Sequence, residues 1–130
     1  MAFSPELRDH VLELLEPLGP VTARPMFGGA GFFLDGTMFV LLTRSDVLYL
    51  RTDDETRSAF EAAGMGPFRP RPGKSFVMPY HEAPPEAMED PDAMQEWAEL
   101  AWQAARRGRR RKESRARGRK KSHASKEKSS

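Results

Sequence analysis

Four short patterns in this sequence hold residue types able to do chemistry. Gly28-Gly29-Ala30-Gly31 is glycine-rich enough to cradle a phosphate. Phosphate loops, however, open onto a helix N-terminus whose free N–H groups meet the anion, and here the strand-like Phe32-Phe33-Leu34 follows. A turn or bulge in a sheet is the reading that fits. Pro72-Gly73-Lys74-Ser75 ends like a Walker A loop, but that motif needs a glycine where Phe68 stands and a helix where Phe76-Val77-Met78 predicts a strand. His10, His81 and His123 lie far apart, with no pair at the i, i+4 spacing of a helix-borne metal site. His81-Glu82 has the composition of an acid–base pair. No nucleophile or second carboxylate is tied to it by sequence, so a surface histidine after a strand is the simpler reading.

Asp53-Asp54-Glu55 and the group Glu86, Glu89, Asp90 and Asp92 could hold a divalent ion, yet both fall at expected helix starts, where capping and the helix dipole account for them. The absence of cysteine excludes a disulfide framework, a thiol nucleophile and a cysteine-based zinc site. The seven methionines read as core gap-fillers. A non-enzymatic protein with no catalytic residue, cofactor, metal or small-molecule substrate is expected.

The feature that points outward is charge. The formal net charge of +2 is the sum of two unlike parts. From Arg106 onward thirteen lysines and arginines face only Glu113 and Glu127, a net +11, which leaves −9 for residues 1–105. Arg106, Arg107, Arg109, Arg110, Arg111, Lys112, Arg115, Arg117, Arg119, Lys120 and Lys121 are the candidate nucleic-acid contacts: a polycation neutralises phosphates and releases counterions without reading sequence. No aromatic residue stands among them to stack on bases. Two other readings stand beside this one, a solubilising tail with no partner and a tail held against its own acidic body.

Those residues need elements to place them. Ser4 as cap, Pro5 at the first position and Leu7, Val11, Leu14, Leu15 and Leu18 at near-helical spacing predict a first helix, ended by Pro17 and Gly19-Pro20. Val21–Met26, Gly31–Leu34, Met38–Leu42 and Val47–Arg51 read as strands of an antiparallel meander. Asp35-Gly36 between two of them predicts a two-residue type I′ turn. A short helix is expected with Asp53 or Asp54 as N-cap and Gly64 at C′, followed by a loop over Pro67–Pro72 and a short strand over Ser75–Met78. Pro79 and Pro84-Pro85 predict extended or turn conformation. A last helix starts after Asp90 at Pro91, with Met94, Trp97, Ala98, Ala101 and Ala105 as its apolar stripe. Trp102 falls at the flank of that stripe, where it either packs the edge of the core or serves as a candidate protein interface.

Beyond Arg106 the apolar side chains are Ala116 and Ala124 alone, so disorder is expected from about Arg111. The sum is an α+β domain over residues 1–107, order α-β(3–4)-α-β(1–2)-α, with helices on one face of a mostly antiparallel sheet, and a basic tail over 108–130. No run of about 18 apolar residues provides a membrane span. Met1-Ala2-Phe3-Ser4-Pro5 lacks the basic region of a secretory signal, so a cytoplasmic location without membrane contact is expected.

The motif series is specific. Leu18-Gly19-Pro20-Val21, Arg24-Pro25-Met26-Phe27-Gly28-Gly29 and Gly31-Phe32-Phe33-Leu34-Asp35-Gly36-Thr37-Met38-Phe39 come first, then Leu48-Tyr49-Leu50-Arg51 and Phe60-Glu61-Ala62-Ala63-Gly64-Met65. Pro67-Phe68, Met78-Pro79-Tyr80, Pro84-Pro85-Glu86, Trp97-Ala98 and Ala104-Ala105-Arg106 complete it. Over about residues 5–107 the chain resembles the TfoX/Sxy N-terminal domain family. The resemblance implies a secretion-chaperone-like α+β fold and a regulatory role, which in the best-known members is competence regulation at promoters together with the cyclic-AMP receptor protein. It implies no catalytic residues. Those regulators carry a second, helical C-terminal domain; here a stand-alone N-terminal domain with a basic tail is expected. A regulator with non-specific nucleic-acid contact, or a module that associates with itself or a protein partner and bears a merely solubilising tail, are the two functions carried forward.

Overall fold

Helix α1 spans Pro5–Leu15 in a computed structural model that describes residues 4–69 and 78–129, with side chains to 116. The Ser4 hydroxyl accepts the Leu7 N–H at 3.2 Å, and Val11, Leu14 and Leu15 are buried, as the spacing predicts. A 3₁₀ turn over Glu16–Leu18 ends it. Strands β1 (Thr22–Met26), β2 (Gly29–Leu34), β3 (Thr37–Leu42) and β4 (Leu48–Arg51) then form the expected meander. Asp35 and Gly36 both take positive φ, +52° and +76°, which is the type I′ turn their sequence demands. A second two-residue turn of the same kind, Phe27 at +50° and Gly28 at +78°, joins β1 to β2 and accounts for the first of the clustered glycines.

Helix α2 (Arg57–Ala62) starts later than expected. Asp53 does not cap it directly but accepts the N–H groups of Glu55 and Thr56 in the turn leading into it. Its end follows the expectation: Gly64 lies at φ +80° and donates to Glu61 O, while Met65 donates to Phe60 O, a Schellman closure.

After α2 come strands β5 (Pro67–Phe68) and β6 (Met78–Glu82). The loop expected over Pro67–Pro72 thus begins as a strand. The strand expected over Ser75–Met78 shares only Met78 with β6, its other residues lying outside the described ones. Pro79 is tolerated inside β6 because the register to β5 shifts there, so its missing N–H breaks no ladder bond. Pro84 is extended as expected, but Pro85 opens a one-turn helix, α3 (Pro85–Glu89), since proline suits a first helical position.

The six strands make one antiparallel sheet in the order β1-β2-β3-β4-β6-β5. Ala30, Phe32, Val40, Leu42, Leu48 and Leu50 share one face by register and pack with Val11, Leu15, Phe60, Ala87 and Met94 from the helices. A bulge at Phe32/Phe33 leaves Phe39 outside the pairing and fully buried in that core.

Helix α4 (Pro91–Ser129) crosses β3 and β4 with Met94, Ala98, Ala101 and Ala105 beneath it. Where the composition predicts disorder from Arg111, α4 continues as helix past Gly108. Packing of its first half provides the costly nucleus, and Arg, Lys, Glu and Ala then propagate a helix without burying anything. Arg109 and Glu113, 3.6 Å apart at i, i+4, add to it. Among the described residues no helix is long and apolar enough to cross a membrane.

Candidate nucleic-acid interface

The basic part of α4 begins where its apolar stripe ends, so the same helix that packs the core carries the cations away from the sheet. Two of the expected contacts are engaged by the body. Arg107 forms a two-pronged bond to Asp53, Nε to Oδ2 at 2.6 Å and Nη2 to Oδ1 at 3.1 Å, with Glu55 Oε2 at 3.0 Å from Nε. Arg109 Nη1 donates to Asp35 O at 2.9 Å and to Thr37 Oγ1 at 3.0 Å. The reading in which the tail is held against its own acidic body thus applies to these two side chains, which tie α4 to the α2 entry turn and to the β2–β3 turn.

Arg106, Arg110, Arg111, Lys112 and Arg115 are exposed, with no ion pair or hydrogen bond to another described residue. At 100° per residue they point to several sides of the helix, so α4 is ringed by cations and not striped. Arg117, Arg119, Lys120 and Lys121 belong to the same helix, with side chains outside the described ones.

The Asp53–Arg107 pair sets an acid dependence. The guanidinium hydrogen bond holds the Asp53 carboxyl at about 2, below its ordinary 3.8, and the pairing raises Arg107. A carboxylate with a depressed folded-state value contributes stability fully above its ordinary value and loses it as pH falls from about 4 through about 2. Asp53→Asn is therefore expected to cost roughly 1–3 kcal/mol at neutral pH and to flatten the acid limb. Urea unfolding of both proteins at neutral pH and near pH 2 checks this; an equal gap at both would contradict it.

Trp102 is half-buried and stands edge-on to Phe39, ring centroids 5.5 Å apart, at the rim of the core. His81 is not the surface residue expected. It lies inside β6 at 4% exposure because its strand position faces the core side, with Nδ1 2.9 Å from Thr52 Oγ1 and Phe60 alongside. Burial lowers its pKa, partly opposed by Glu61, whose Oε2 is 3.9 Å from Nε2. Glu82, next along the strand, is exposed and acts on Tyr49 instead, so the His81–Glu82 pair is not assembled. Of the acidic clusters, Asp53 serves Arg107, Asp90 accepts the Asp92 N–H, and Glu86 takes the Trp97 indole N–H.

Two features escaped the sequence reading. Phe27 is 66% exposed at the β1–β2 turn, beside a trough of about 450 Å³ that Leu41, Tyr49, Phe68 and Met78 line on the sheet face away from the helices. Arg51 is half-buried under α4 with no carboxylate partner among the described residues. Nothing local marks either one.

The family model described as the TfoX N-terminal domain matches residues 13–105. The match runs from within α1 to the last buried alanine of α4 and stops before the first of the exposed cations. No curated protein matches the chain.

Proposed function

The chain belongs to the TfoX N-terminal domain family, and we propose that it is a non-enzymatic, regulator-like cytoplasmic protein that contacts nucleic acid through the end of α4. Transcription or competence regulation is the process such a contact would serve. One observation carries the reading: five exposed cations without partners among the described residues ring a helix whose other half is locked into an acidic body. A cationic helix of this kind meets phosphates on both flanks of a groove, and its affinity comes from counterion release and not from base edges. The expected result in a mobility-shift assay is equal binding to two duplexes of unrelated sequence, and loss of both when Arg106, Arg110, Arg111 and Arg115 are changed to glutamine. Arg107 and Arg109 are kept because they hold the helix in place. Unchanged binding by the variant would overturn the assignment.

A second reading, an interaction module with a solubilising tail, is favoured by the exposed Phe27 and the apolar trough beside it. It expects a stable dimer in light scattering, abolished by Phe27→Ser, and no salt-dependent DNA binding.

A further inference from the structure

Arg51 stands at the end of β4, and its guanidinium lies under α4. Among the described residues its buried Nε has no hydrogen-bond partner and no carboxylate pairs with its charge. What it meets is the face of Tyr80, 5.9 Å from the ring centroid, and the backbone of α4 at Gly108. A Cβ at Gly108 would come within 2.5 Å of Arg51 Nη2, so the guanidinium lies directly against the helix at this glycine. A half-buried cation without a counter-charge is costly, and proteins ordinarily pair it.

Beyond Gly108 the helix adds two more cations to the same place. A cleft of about 630 Å³ opens between α4 and the ends of β3, β4 and β6, lined by Arg51, Tyr80, Arg109 and Lys112 with Glu113 as its one acid. Thr37 lines it as well. Its hydroxyl accepts from Arg109 at 3.0 Å and keeps its own proton to donate. Lys112 is exposed with no ion pair among the described residues, and Arg109, bonded through Nη1 and with its Nε 3.6 Å from Glu113 Oε2, retains further N–H groups. Among the described residues three cations stand against one carboxylate around a cleft within the size range of small-molecule sites, a composition that suits an anion.

We propose that this cleft binds a phosphate group, with Arg51 and Lys112 as its principal ligands and Arg109 and Thr37 completing the contact. A phosphate suits it better than a carboxylate because its oxygens diverge in three dimensions, as do donors arriving from a strand end, a turn and a helix. The group can come from a nucleic-acid backbone or from a small phosphorylated molecule, and of the exposed cations that ring α4 the cleft shares Lys112, while Arg106, Arg110, Arg111 and Arg115 stand outside its lining.

The test follows the ¹⁵N–¹H resonance of Arg51 Nε in the full chain during titration with inorganic phosphate, a mononucleotide or a short duplex, each against sodium chloride of equal ionic strength. The expected result is a saturable shift with phosphate and none with chloride. Lys112→Gln, an exposed change that leaves the fold intact, weakens phosphate by roughly tenfold. Tighter binding of the mononucleotide identifies a small ligand, and tighter binding of the duplex identifies backbone; either supports the site. The variant lacking Arg106, Arg110, Arg111 and Arg115 keeps the phosphate response even where duplex binding fails, which separates this site from the nucleic-acid reading. No saturable shift, or an unaltered phosphate affinity in Lys112→Gln, would overturn the proposal.

Discussion

Glutamine at Arg106, Arg110, Arg111 and Arg115 together is expected to weaken duplex binding at low salt by at least a factor of about 100, while leaving the unfolding midpoint nearly unchanged. The four side chains are exposed and without partners among the described residues, so their removal costs no packing and no ion pair. Each phosphate neutralised contributes close to one condensed counterion to the entropy of binding, and at low salt a single contact is worth roughly tenfold. Four lost contacts therefore act multiplicatively. The contrast with Arg107 is what makes the experiment informative. Arg107→Gln removes one cation like the others but also leaves Asp53 without its two-pronged partner, so it is expected to lower stability by roughly 1–3 kcal/mol with a small effect on DNA. Melting curves and fluorescence anisotropy on the same samples separate the two roles.

The largest effect on folding is expected at Gly29. A Cβ at that position would sit 1.9 Å from Leu42 O and 2.8 Å from Thr43 C, backbone atoms at and just past the end of the neighbouring strand β3. Side-chain ends can retreat from such a contact; a strand held by the Ala30↔Leu42 and Gly31↔Leu41 pairing cannot without opening the ladder. Gly29→Ala is expected to cost about 3 kcal/mol or more, lowering the melting temperature by roughly 10–20 °C. Gly36→Ala provides the comparison. Nothing lies within 4 Å of its added Cβ, and only the positive φ of +76° is penalised, at about 1–2 kcal/mol. Equal melting temperatures for the two variants would show that backbone crowding at Gly29 is relieved at little cost.

Much of the fold was legible because local patterns decide it. Asp35-Gly36 admits one turn type, Ser4-Pro5 and Asp90-Pro91 mark helix starts, and alternation along β4 fixes which face is buried. What was missed depends on residues distant in sequence. The Phe27-Gly28 turn lacks the asparagine or aspartate that signals positive φ, and its conformation is imposed by the β1–β2 register. The helix beyond Arg111 was hidden because poor apolar content argues against independent folding, whereas a helix already nucleated on the core needs only propagation. His81 reads as a surface residue until β6 is placed between β4 and β5. At the candidate interface the sequence leaves the cations undifferentiated: only a partner such as Asp53, fifty-four residues away, marks Arg107 as an arginine that fastens the helix.

The central claim, phosphate contact by the end of α4, is tested most directly by the salt dependence of duplex binding. With about six phosphates neutralised, the log–log slope of affinity against salt is expected near −5 for the full chain, an affinity loss of roughly 10³ between 50 and 200 mM. For the four-glutamine variant the slope falls to about −2 and the loss to about tenfold. A slope near zero for the full chain, or one unchanged by the four substitutions, would contradict the account.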